Sequence, residues 1–287
     1  MTIAEIRFQL IQKLKIIYSE SEAANITELV LEHVFKFSKS ELIINSQRKI
    51  DDKEDRDTVT ILARLLQHEP IQYILQEAWF YNYKFFVDKN VLIPRPETEE
   101  LVEWILKESV HQKIETILDV GTGSGCISIA LKIILPTVTV TAIDCCSEAL
   151  FVAATNAANL NAEVNLMLLD FLNKENRKQL EQFDIIVSNP PYIPRKDKET
   201  MNKNVWMYEP EKALFVPDYD PVIFYTSLAE FGKEHLKEGG SVFTEIHEDF
   251  ADEVSAIFKK NEFQFVTVKK DLQGKNRMIC ATGNSCD

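Results

Sequence analysis

The chain has 287 residues, 45% apolar and 27% charged, with ten prolines and eight glycines; that length suits one large domain plus a small one. Such a composition excludes collagen-like, low-complexity and disordered chains. Thirty-two Lys and Arg against 45 Asp and Glu leave a net charge of −13, which speaks against a general binder of phosphate backbones, because that affinity comes from Lys and Arg releasing counterions.

The cysteines are Cys126, Cys145, Cys146, Cys280 and Cys286. Their number is odd, two are adjacent, and no C-x-x-C occurs, so neither a zinc site nor a disulfide framework is expected and a reducing compartment fits. His33, His68, His111, His235 and His247 are scattered as surface or capping residues, and no metal is expected. The N-terminal stretch MTIAEIRFQLIQKLKIIYSE is charged throughout and has no signal-peptide h-region. The longest apolar run, CISIALKIIL, is short and broken by Lys132. A soluble cytoplasmic protein is the expectation.

Residues 2 to about 70 read as helices. Ile3, Ile6, Leu10, Leu14 and Ile17 repeat at helical spacing, as do Ala24, Leu29, Val30, Val34 and Phe35, and a charged stretch at 51–57 precedes a periodic segment from Val59 to Leu66. The aromatic, β-branched run WFYNYKFFVDKNVLI at 79–93, with turn residues Asn82 and Asp88-Lys89-Asn90, predicts a β-hairpin joining two domains. From 115 onward, strand-like runs alternate with helical ones. The strands are expected at 116–120, 138–143, 164–169, 183–188, 241–246, 263–268 and 277–281, and the helices at 124–134, 147–160, 221–236 and 248–260. That alternation predicts an α/β fold with a mostly parallel, seven-stranded sheet covered on both faces. DLQGKN is too short for a crossover, so the last strand runs antiparallel to its neighbour. The domains are a helical one over 1–70, a hairpin linker over 71–97 and an α/β domain over 98–287.

Three of the eight glycines fall within five residues, Gly121-Thr122-Gly123-Ser124-Gly125, between a strand and a helix. Glycines there permit tight φ values and close approach of a ligand to backbone N–H groups. G-x-x-x-x-G-K-[ST] is absent, and the G-x-G-x-x-G of dinucleotide sites fails at Cys126. G-x-G-x-G is the spacing of S-adenosylmethionine (SAM) methyltransferases. Asp144, nineteen positions beyond Gly125, ends the next strand, where a carboxylate can accept both ribose hydroxyls of a nucleoside. Asp170 and Phe171 end the strand after that and are read as holding an adenine amino group and ring face.

The fourth strand runs into Asn189-Pro190-Pro191-Tyr192, at the carboxyl ends of the strands where open α/β sheets bind ligands. Consecutive prolines donate no backbone hydrogen bonds and stiffen the segment. What is presented is a pair of acceptors, the Asn189 side-chain oxygen and the Pro190 carbonyl, beside the flat face of Tyr192. Alkylation of a planar NH2 group wants this arrangement. Two acceptors on its N–H bonds orient the poorly nucleophilic nitrogen and stabilise the positive charge it develops. Tyr192 is read as stacking on the target plane and facing the sulfonium.

With these motifs the chain resembles the release-factor glutamine N5-methyltransferases. The matching segments are HEPIQYIL (68–75), VLIPRPETEELVEW (91–104), ILDVGTGSGCISIAL (117–131), FDIIVSNPPYIP (183–194), EPEKAL (209–214) and DLQGKNR (271–277). The resemblance implies a Rossmann-like class I SAM-dependent methyltransferase domain behind a helical substrate-docking domain. It implies methyl transfer from SAM to the side-chain amide of the glutamine in the Gly-Gly-Gln tip of class 1 peptide chain release factors, by a monomer that binds neither nucleic acid nor membrane. Gly121, Thr122, Gly123, Ser124, Gly125, Asp144, Asp170, Phe171 and Asn189 would contact SAM. Asn189, Pro190, Pro191 and Tyr192 would hold the glutamine, with Asn189, Pro190 and Tyr192 as the catalytic residues. Arg95, Pro96, Glu97 and Thr98 would shape the site floor, Arg95 and Glu97 as ion-pair partners.

The chain departs from the family pattern at Gln76, where glycine is usual, at TEIHEDF (244–250), which lacks a glycine and a glutamine, and at Phe171, where some members have Trp. Two other readings compete. An N6-adenine methyltransferase uses the same tetrapeptide on a flipped base, but the acidic charge opposes it. A non-catalytic binding module would not need the intact Asn189–Tyr192 segment.

Overall fold

The computed structural model describes residues 1–110 and 112–283, so His111 and Cys286 lie outside the described residues. The backbone forms two compact units. One comprises Met1–Gln76 with Lys203–Tyr208, the other Glu77–Asn202 with the chain from Glu209 onward.

The first unit is helical: α1 (Ile3–Leu14), α2 (Glu20–Phe35), α3 (Lys39–Ile44), α4 (Asp52–Leu65) and α5 (Ile71–Leu75). Thr2, Ser38 and Asp51 open α1, α3 and α4 with capping boxes, each paired with a Glu three residues on. The acidic start of the 51–57 stretch is therefore an N-terminal cap and first turn, where negative charge complements the helix dipole. Ile3, Ile6, Leu10 and Leu14 face the core as their spacing predicts. On α2 the buried stripe is Ala23, Ile26, Val30, Leu31 and Phe35, with Leu29 and Val34 only partly buried. Val59 is exposed, and Ile61, Leu62 and Leu65 turn inward instead. Two adjacent registers share the same three-four spacing, and packing selects between them. Helix α5 ends at Gln76 in the left-handed region, φ 57°. This is the backbone position at which glycine is the commonest helix stop.

In the second unit, β1 (Ala78–Phe80) and β2 (Tyr83–Phe85) form the expected hairpin. Its two-residue turn, Tyr81-Asn82, has φ 50° and 65°, the mirror-image geometry whose twist matches antiparallel strands. Helix α6 (Pro96–Glu108) holds that turn: Glu99 accepts the Tyr81 backbone N–H and Glu103 its phenol, both at 2.8 Å.

Strands β3 (Thr116–Val120), β4 (Thr139–Asp144), β5 (Val164–Leu168), β6 (Phe183–Ser188), β9 (Leu236–Glu245), β10 (Phe265–Lys270) and β11 (Asn276–Thr282) make one sheet, in the order β10-β11-β9-β6-β3-β4-β5. Pairing is parallel from β9 to β5, and β11 is antiparallel to both β9 and β10. Alternate residues point to opposite faces. Ile117, Ile185 and Val187 pack with α6, α7 (Cys126–Ile134) and Ala157 of α8 (Ser147–Asn159). Leu118 and Ile186 pack with the helices Ile223–His235 and Ala251–Lys260. A short parallel pair, β7 (Ile193–Pro194) with β8 (Phe215–Val216), anchors the chain just after the N-P-P-Y segment; two residues are too few for a periodic signal. Strand β9 begins five residues before the predicted start, with an irregular register opposite Phe183–Ile185.

Among the described residues, Cys126, Cys145 and Cys146 are free thiols. Sheet order reverses between β3 and β6, and at such a switch point the loops leaving the strands part to open a crevice.

Candidate active site

A cavity of about 560 Å³ opens at that switch point, within the range of roughly 300–1,000 Å³ usual for cofactor sites. Gly121, Thr122, Gly123 and Ser124 line it after β3, Asp144 at the end of β4, Asp170 and Phe171 after β5, and Asn189, Pro190 and Pro191 after β6. Gly125 and Tyr192 are not in its wall. Arg95 and Thr98 close it from the start of α6, and Pro210–Ala213 from the EPEKAL segment.

All three loop glycines have positive φ: 74°, 54° and 80°. Their side-chain space differs. A Cβ on Gly125 would lie 2.8 Å from Ile129 Cδ1 and 3.2 Å from Ala153 Cβ, so this glycine serves helix packing. A Cβ on Gly121 or Gly123 would meet nothing within 4 Å. There the bare backbone lines the cavity, so a ligand can approach it closely. Ile143 O takes the N–H groups of Gly121 and Thr122 at 2.9 and 3.0 Å. Beneath the loop, buried Asp119 accepts from Thr122 Oγ1 at 2.6 Å and from the Ser128 N–H at 3.3 Å, while its Oδ1 has no partner. Burial pushes this carboxyl up to about 6.

Asp144 Oδ2 accepts the Gly123 N–H at 3.0 Å and Oδ1 the Cys146 N–H at 2.9 Å. A carboxylate has about four lone-pair sites, so both oxygens keep capacity for a diol. Burial raises the Asp144 carboxyl above its ordinary value, against the pull of these N–H groups. Asp170 is exposed and accepts the Leu172 N–H at 3.0 Å. Phe171 contributes to the cavity wall but is 95% buried. Phe231 packs at its edge and the Arg177 guanidinium lies 5.3 Å from its ring centroid. One aromatic face is thus already engaged by the protein.

Asn189 Nδ2 donates to Thr98 Oγ1 at 3.0 Å. The Tyr192 phenol donates to Glu245 Oε1 at 3.0 Å, with its ring edge-on to His247. Burial first, then the Glu245 charge, holds this phenol well above its usual range and neutral. Tyr192 is therefore built into the loop's support rather than standing at the cavity as a stacking face. Arg95 pairs not with Glu97 but with Glu209, a buried carboxylate that also accepts the Ile93 N–H at 3.3 Å. Glu97 accepts from Gln273 Nε2, at 3.5 Å. Burial raises the Glu209 carboxyl, and Arg95 opposes the rise.

Glu209 and Glu245 were not singled out as functional from the sequence. Glu245 had a signal: a charge between Thr244 and Ile246, at the carboxyl end of the strand-like run from Ser241. Asn156 of α8 is another. Fully buried, its carboxamide accepts the Phe86 N–H at 2.6 Å and donates to Phe86 O and Ser124 O, both at 2.9 Å.

Sheet order, glycine loop and acidic strand end define a class I methyltransferase, an enzyme whose methyl donor is S-adenosylmethionine, and the cavity has the open backbone and spare carboxylate capacity that donor needs. The methyltransferase small domain model matches residues 98–212, and the PrmC N-terminal domain model residues 5–75. The release factor glutamine methyltransferase of Flavobacterium psychrophilum is 40% identical over 97% of this chain and 98% of its own. That of Bacteroides thetaiotaomicron is 38% identical over 94% and 96%. The chain belongs to the release factor glutamine methyltransferase family. Among solved structures, a methyltransferase from Pyrococcus furiosus superposes with TM-score 0.51 at 20% identity, covering 76% of this chain and 95% of that one. The hMettl16 catalytic domain superposes with TM-score 0.56 at 13% identity, covering 82% and 83%. At these identities the likeness is one of fold.

Proposed function

We propose that this enzyme methylates the side-chain amide nitrogen of the glutamine in the Gly-Gly-Gln tip of class 1 peptide chain release factors. It acts as a monomer in the cytoplasm, with the helical unit docking the substrate. The observation that carries the reading is the shared cavity: the Asn189-Pro190-Pro191 segment, whose two prolines have no backbone donor, and the open glycine backbone wall the same space. Family membership adds the substrate class.

In this reading the backbone of Gly121–Ser124, the Asp144 carboxylate, Asp170 and Phe171 would hold the cofactor's nucleoside. SAM supplies an electrophilic methyl on a sulfonium. Asn189 Oδ1 and Pro190 O each accept one N–H of the glutamine carboxamide, so the nitrogen lone pair is turned toward that methyl. As the C–N bond forms and the S–C bond breaks, positive charge grows on nitrogen and both acceptors stabilise it. With S-adenosylhomocysteine as the leaving group, the methylated nitrogen would release its extra proton to solvent. A planar NH2 held by two fixed acceptors needs no general base to begin its attack.

Labelled SAM with a release factor tests this, against the same factor with its tip glutamine changed to alanine. Label should enter only the first, and mass spectrometry should place 14 mass units, one methylene, on the tip peptide. Label in DNA or ribosomal RNA, with none in the factor, would instead support the adenine reading.

A further inference from the structure

The segment after β6 is held by a directed chain of hydrogen bonds. Asn189 Nδ2 donates to Thr98 Oγ1 at 3.0 Å, and Thr98 Oγ1 donates to Glu245 Oε2 at 2.8 Å. The Tyr192 phenol donates to the other oxygen, Glu245 Oε1, at 3.0 Å. Thr98 and Glu245 are each 2% exposed, so water does not compete for these bonds.

The direction of the chain follows from donor arithmetic. Burial raises the Glu245 carboxyl, while the Thr98 and Tyr192 hydroxyls and the Arg277 charge favour its ionised form; an ionised carboxylate only accepts, and a threonine hydroxyl has a single proton to give. Thr98 spends its proton on Glu245 and offers Asn189 a lone pair alone. A carboxamide can satisfy that lone pair only with its NH2 end. Asn189 Oδ1 is then the end left for the cavity that Asn189 lines. Were the carboxamide reversed, its NH2 would meet the substrate's NH2, donor against donor.

Given the methyl transfer set out under Proposed function, we propose that Thr98 and Glu245 are positioning residues that fix the polarity of the Asn189 carboxamide, so that the site presents an acceptor and selects an NH2 group. Tyr192 belongs to the same device, as the second donor that keeps the Glu245 carboxylate in place. The three supports come from the start of α6, the end of β9 and the loop itself, so the polarity is set by the fold rather than by the tetrapeptide alone. It also gives the site a reason to refuse a glutamate, whose ionised carboxylate has no N–H to offer.

The test uses Thr98→Val, Thr98→Ser and Glu245→Gln in the full chain, with kcat and KM for a release factor measured separately and SAM affinity by calorimetry. Thr98→Val keeps the shape and removes the relay; its kcat should fall about 100-fold, the usual loss for one misaligned electrostatic contact, with SAM affinity close to the parent's. Thr98→Ser keeps the hydroxyl and should recover most of that kcat. Glu245→Gln introduces a donor in place of an acceptor and should also lower kcat more than it raises KM. Parent kcat in Thr98→Val, or a Thr98→Ser as slow as Thr98→Val, would overturn the relay while the parent's activity leaves the methylation itself standing. Loss of SAM binding in both Thr98→Val and Glu245→Gln would also overturn it, as a purely structural role. A parent enzyme that labels no release factor removes the methylation reading, and the relay with it.

Discussion

The Gly123 N–H donates to the Asp144 carboxylate at 3.0 Å, so the acid that ends β4 pins the glycine loop that follows β3. The two motifs are twenty-one residues apart in sequence and one hydrogen bond apart in space. Asp144→Ala should therefore damage the cofactor site twice, by loosening the loop and by removing the acceptor for the ribose. Loss of hydrogen bonds to a charged group, about 1.5–3 kcal/mol, corresponds to SAM binding weaker by roughly 10- to 100-fold. Isothermal calorimetry reads this directly, and parent affinity would dismiss Asp144 as a ligand.

Asn189→Ala removes one of the two acceptors but none of the glycine loop. Turnover should drop by about 100- to 1,000-fold, with SAM affinity changed far less. Single-turnover rates with a release factor separate the two effects. If affinity falls as far as the rate does, Asn189 acts mainly in cofactor binding.

Two substitutions involving left-handed backbone should have opposite signs. Gln76 sits at φ 57° at the end of α5, and Gln76→Gly relieves that conformation at some cost in unfolded-chain entropy, for a net gain of about 0.5–1 kcal/mol. Gly125→Ala adds both the left-handed penalty and a contact at 2.8 Å with Ile129 Cδ1, and should cost about 2–3 kcal/mol. Urea midpoints measured on the two variants and the parent decide both.

Burial raises the Asp119 carboxyl from an ordinary 3.8 to about 6. Between those values the folded chain keeps a proton that the unfolded chain releases. The stabilisation this gives is complete below the lower value and gone above the upper one, a span worth about 3 kcal/mol. The stability of the parent relative to Asp119→Asn should therefore decline as pH rises from about 4 to about 6 and be level above. Urea unfolding of both proteins across that interval checks the sign; a constant difference would mean that Asp119 titrates normally.

The alternation of strands and helices after residue 115 was legible because each element carries its own period, and the boundaries of β3 and β6 coincide with those read from the sequence. The glycine loop and the N-P-P-Y segment were legible as sites because each packs unusual backbone chemistry into a few consecutive residues. What stayed hidden is what joins distant residues. Arg95 finds Glu209 rather than the neighbouring Glu97 because side chains two apart on a helix point to different sides, and no periodicity links residues 114 positions apart. Tyr192 reads locally as an exposed aromatic face. Only the arrival of Glu245, fifty-three residues later, draws its phenol into the loop's support.

The Asn156 carboxamide takes both main-chain groups of Phe86 and the carbonyl of Ser124, doing for the stretch after the hairpin what an adjoining strand would do. The Phe86 amide hydrogen should accordingly exchange with deuterium as slowly as one inside the sheet, although the residue belongs to no strand. A tug on the hairpin would reach the rim of the cofactor's berth by two routes, through α6 and through this one carboxamide, and Asn156→Ala would cut the second.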